Sequence, residues 1–159
     1  MNNDSLKELV KQGLQAQKAA TQLGDDAAAE ISNDATNPEL KTYLQQGSER
    51  AKQWEKSLTD ALQKMGAEDS PIDNPIIQAQ YEVSKKIRAT ASTPEARDLG
   101  IIASGQLAMH YYIAGLGTLS TYAKKVGEME TGNVVGRILQ EAKQADQDMT
   151  DLAQKLLSA

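Results

Sequence analysis

The stretch that decides the fold is Asp98–Val126, DLGIIASGQLAMHYYIAGLGTLSTYAKKV. Within it Ile102, Gly105, Met109, Tyr112, Leu116, Leu119, Ala123 and Val126 recur at alternating steps of three and four residues. That spacing puts them on one stripe of an α-helix, the seam that a bundle helix turns towards its neighbours. No charged residue interrupts the stripe. The stretch also carries the only histidine, His110, and three of the five tyrosines, Tyr111, Tyr112 and Tyr122. Such a helix belongs in the middle of the protein, and any chemistry is expected beside it.

Working outward, Thr93-Pro94-Glu95 supplies a cap and a first-turn proline at its start, and Gly127 ends it. A final helix from about Thr131 repeats the pattern with Val135, Ile138, Ala142, Ala145, Met149, Leu152 and Leu156. Towards the N-terminus, Asp4 or Ser5 can cap a first helix that runs to about Ile31. Its seam is Leu6, Val10, Gly13, Gln17, Ala20, Gly24, Ala27 and Ile31, on which Gln17 is the one sizeable polar residue. After the turn Ser32–Asn37, Pro38 opens a second helix that runs to about Met65 and is stopped by Gly66. Its seam is Leu44, Gly47, Ala51, Trp54, Leu58, Ala61 and Met65. The segment Gly66–Asn74, held extended by Pro71 and Pro75, and a short helix over Ile76–Ala91 form the remaining connection. Together they read as a crossover travelling along the bundle, with Lys85, Lys86 and Arg88 on a solvated face. The expected fold is all-α: a ferritin-like four-helix bundle with one long crossover containing a short extra helix, residues 1–159 making one domain.

Composition narrows the function. A formal net charge of −5 and a pI near 4.9 argue against a nucleic-acid surface, which needs a clustered basic face. With no cysteine there is no disulfide, thiol nucleophile or zinc–thiolate site. The opening MNNDSLKELV lacks the basic and apolar regions of a signal peptide, and no apolar run approaches the roughly 20 residues of a membrane span. A cytoplasmic protein without membrane or nucleic-acid partners is expected.

Several short motifs then carry a resemblance. His110-Tyr111, Ile113-Ala114 and Gly117-Thr118-Leu119 resemble the third bundle helix of the YciE/YciF family of bacterial ferritin-like stress proteins. Lys143, Asp146 and Thr150-Asp151-Leu152-Ala153 are similar to that family's last helix. Ala16-Gln17-Lys18 falls where the family has Ala-Glu-Lys, and Leu44-Gln45-Gln46 with Ser48 where it has Leu-Glu-Glu and often a histidine. The resemblance implies a di-iron-type site, with glutamates from two helices and a Glu-x-x-His pair from each of the others. Carried over residue by residue, it finds Gln17, Gln45, Ser48, Met109, Tyr112 and Ala142 at ligand positions, while His110, Glu141 and Asp146 remain as residual candidates. Neutral amides cannot offset two divalent cations, and a thioether is a poor ligand for iron or manganese. One histidine also cannot supply two Glu-x-x-His motifs.

The expectation is therefore a non-catalytic, stress-associated protein of this family with no cofactor, a degenerate metal site, and no catalytic or metal-binding residues. It would act through protein contacts, as a homodimer or with another protein, a metal-binding relative included. In place of the site, Gln17, Gln45 and Tyr112 are expected to form a neutral hydrogen-bonded cluster, and His110 to flank it. Two alternatives stay open. One is a reduced iron or manganese centre on His110, Glu141 and Asp146 that handles metal or peroxide. The other is a bundle that holds a small apolar ligand near the seam glycines Gly13, Gly47 and Gly105.

Overall fold

The computed structural model describes residues 2–158 apart from Asp69 and Pro71. They form α1 (Asn3–Asp34), α2 (Pro38–Lys64), α3 (Pro75–Thr90), α4 (Pro94–Lys125) and α5 (Met129–Leu157), with no strand among the described residues. Each start has a local cause. Asn2 caps α1 by accepting from the Asp4 amide at 3.1 Å, so the cap lies two residues before the earlier of the two expected. Asn37 and Thr93 cap α2 and α4, and Pro38 and Pro94 follow them in the first turn. Asn74 caps α3, and Pro75 opens that helix rather than extending the linker; Pro71 lies outside the described residues. Gly66 and Gly127 follow α2 and α4 with φ of +65° and +87°, conformations that side chains with a Cβ avoid.

The long helices form two hairpins, α1–α2 and α4–α5. Contacts between hairpins fix their directions. The Trp54 indole reaches Glu141 while Lys155 reaches Glu39, so α2 and α5 run antiparallel. Gly13 lies against Leu119 while Thr36 bonds Asp98, so α1 and α4 do too. The order is up-down-down-up, and the chain must travel the bundle's length between α2 and α4. The linker and α3 make that journey. Asn74 anchors the start of α3 by donating to the Ala16 carbonyl at 2.8 Å and the Tyr111 hydroxyl at 2.7 Å. Arg88 anchors its end by pairing with Glu30 at 3.1 Å and with Asp34. Arg88 is only 3 % exposed, which corrects its assignment to a solvated face. Its guanidinium is held by two carboxylates one helical turn apart on α1.

The core is mostly the expected seams, with Leu14, Leu40 and Leu62 added. It divides into a larger cluster around Leu58, Leu116 and Val135 and a smaller one around Ile102 and Leu152, which Met109 bridges. A second buried charge, besides Arg88, lies off the seams. Asp98 on α4 accepts from the Thr36 amide (2.8 Å), the Thr36 hydroxyl (2.7 Å) and the Asn37 amide (2.8 Å). It thus closes the α1–α2 turn, and α1 continues to Asp34 rather than ending near Ile31.

Candidate functional site

Helix periodicity brings Gln17 of α1, Trp54 of α2, Tyr112 of α4 and Ala142 of α5 into the interior. Trp54 and Tyr112 meet edge to face with ring centres 5.4 Å apart, and Tyr112 meets Tyr111 in the same way at 5.9 Å. Both separations are in the range where such pairs attract beyond simple burial. Ala142 is fully buried in the same cluster, and its small side chain leaves room for the rings. Trp54, Tyr112 and Ala142 thus make this part of the interior aromatic and aliphatic. Burial, reinforced by the Tyr111 phenol, pushes the Tyr112 phenol far above its ordinary pKa. It stays neutral throughout the physiological range.

Gln17 lies one turn away, packed over Gly115, where a Cβ would collide with the amide. The residue is 3 % exposed, and its carbonyl oxygen has no hydrogen-bond partner among the described residues. The expected cluster of Gln17, Gln45 and Tyr112 does not form. Gln45 is exposed and lines an open groove between α2 and α5 with Gln46, Arg50 and Gln144. One residue step turns a helix by about 100°, so with Leu44 half-buried Gln45 points away from the interior. Ser48 is turned towards α1 and donates to Asp25. Met109 is half-buried apolar packing.

Two of the three residual candidates, His110 and Asp146, are brought together, and Glu141 is not. His110 is exposed on α4, its Nε2 3.2 Å from Asp146 Oδ2 on α5. The second oxygen of Asp146 is buried without a hydrogen-bond partner among the described residues. Glu141 is on the other side of α5, where its Oε2 accepts from the Trp54 indole at 2.6 Å and ties α5 to α2. Residues five apart on a helix are displaced by about 140° around the axis, so Glu141 and Asp146 cannot share a metal. Among the described residues no three histidine or carboxylate side chains are grouped to hold a metal ion. The residues present therefore do not fit the di-metal centre that the resemblance implies: the middle is aromatic and aliphatic, and the acids lie at the rim. Of the seam glycines, Gly13 and Gly105 admit Leu119 and Met149 from facing helices, while a Cβ on Gly47 would meet only the Arg50 guanidinium, at ordinary contact distance.

Sequence reasoning missed three polar anchors, Asn74, Arg88 and Asp98. Asn74 alone had a recognisable signal, an asparagine directly before a proline at a helix start.

The fold and its interior define a class: an all-α bundle with a single crossover and an apolar centre. The sequence profile of the family described as a domain of unknown function, DUF892, matches residues 4–159. The chain belongs to that family and is of YciE/YciF type. It is 38 % identical over 77 residues to Protein YciF of Escherichia coli strain K12, a match covering 48 % of this chain and 46 % of the relative. The matched stretch is thus about half the length of that relative. Two solved structures share the fold. The E. coli stress protein YciF superposes with a TM-score of 0.92 at 21 % identity, covering 96 % of this chain and 97 % of that one. A protein from Rhodopseudomonas palustris described as YcfI, a putative structural protein, gives 0.87 at 24 % identity, covering 91 % and 92 %.

Proposed function

We propose that this chain is a non-catalytic member of its family whose metal centre has been replaced by packing. It works through its surface in the cytoplasm, in connection with stress, as a homodimer or with another protein. The observation that supports this reading is the buried Trp54–Tyr112 pair in the middle of the bundle, with Tyr111 against its edge. The names of the similar proteins, a stress protein and a putative structural protein, support a role of this kind. Among the described residues no helix is long and apolar enough to cross a membrane, which is compatible with that location. Elemental analysis of protein purified without chelator tests the reading. Iron and manganese far below one per chain are expected. Either metal at one or two per chain would overturn it in favour of a reduced centre beside His110 and Asp146.

A further inference from the structure

A cavity of about 110 Å³ lies beneath α3, over the groove between α1 and α4. Its roof is one face of the crossover helix: Ile77, Gln80, Tyr81 and Ser84, spaced three and four apart. Its floor is cleared by small residues, among them Gly24 and Ala27 of α1 and Ala108 of α4. The pocket is open to solvent on one side, and an apolar wall left facing water forfeits both burial and packing contacts.

Two polar groups in the wall are unused. Gln80 Oε1 is buried with no hydrogen-bond partner among the described residues. Ser84 is 6 % exposed, and its hydroxyl makes no hydrogen bond among the described residues. Helix α3 is pinned at both ends by Asn74 and Arg88, so the roof is held in place over the space. A single kind of ligand complements both features: an apolar body for the void and a donor for the amide oxygen. An engineered enclosed cavity of about 150 Å³ admits benzene; at about 110 Å³ this pocket is smaller but open on one side, so a molecule of about six or seven heavy atoms is the largest that fits. We infer that the cavity is a binding site for a small, mostly apolar molecule with one hydrogen-bond donor, of the phenol or short branched alcohol class. The inference uses none of Trp54, Tyr111 and Tyr112 and stands or falls separately from the proposed function.

The test uses phenol and toluene as probes on the full chain, followed by methyl NMR of the isoleucines. Phenol should shift the methyls of Ile77 and of Ile31 and Ile101, two further residues of the wall, saturably. Ala108→Leu fills the space and should abolish the shifts while the remaining spectrum stays native. Gly24→Ala with Ala27→Val is a second filler, with the same expected result, should the first variant not fold. Gln80→Met should weaken phenol about tenfold, the worth of one hydrogen bond, and leave toluene within about twofold. Absence of saturable shifts with phenol would overturn the inference. So would binding undiminished in a folded filled variant, or equal loss of both probes in Gln80→Met.

Discussion

Gln17 and Tyr112 stand at two of the positions where the family resemblance implies ligands. The carbonyl oxygen of Gln17 is buried without a partner among the described residues, a state that costs about 1–3 kcal/mol. Methionine has nearly the same length and no acceptor to satisfy, so Gln17→Met should raise stability by about 1–2 kcal/mol in urea unfolding. A loss instead would mean that the amide is usefully bonded. Tyr112 has no hydrogen bond among the described residues, so Tyr112→Phe should be close to neutral at pH 7. The difference emerges in alkali. The folded pKa is raised by burial, so the native state keeps a proton that the unfolded chain loses near pH 10. The stability this residue contributes is full below pH 10 and falls above it by up to about 1.4 kcal/mol per pH unit. Tyr112→Phe should therefore lose less stability than the native chain between pH 10 and 11, by denaturant unfolding at each pH. Parallel losses would place the phenol in water. At this scale the sequence was only partly readable. The three-four spacing put Gln17 and Tyr112 inside. Gln45 was put there by matching a family position, which carries no information about which way a helix faces.

All five helices were legible as elements, because caps, first-turn prolines and terminal glycines punctuate them. The orientation of α3 was not. Its inward line is Ile77, Tyr81, Ser84 and Arg88, a regular helical stripe whose last two members are polar. A search for apolar periodicity passes over such a stripe, and the partners that make it possible, Glu30 and Asp34, lie on another helix. The same reason hid Asp98, whose three donors come from the α1–α2 turn. Helix α4 is apolar almost all round because α1, α5 and α3 cover it from three sides. Arg88→Ala removes the far anchor of α3 along with the packing of a long side chain. It should lower stability by about 1–3 kcal/mol, and amide exchange in α3 should quicken more than in α1 or α2. Uniform quickening would mean that α3 does not open as a separate unit.

Across the whole molecule, connectivity and composition point the same way. Two hairpins joined by a lengthwise crossover give the ferritin-like topology, and the order of helices with one long break was enough to foresee it. The topology brings four helix faces to a common centre, but the side chains there decide whether a metal can sit in it. In this chain the centre is Trp54, Tyr112 and Ala142, and the acids sit at the rim. The most direct test of this account is the unfolding temperature with saturating iron(II) or manganese(II) against the same protein in chelator. A metal held by the native state alone stabilises it by mass action, at a hundredfold excess over Kd by about 2.7 kcal/mol. For a chain of this size that would raise the midpoint by about 5–10 °C. The account predicts midpoints within about 1 °C of each other. A rise of several degrees with either metal, reversed by chelator, would contradict it.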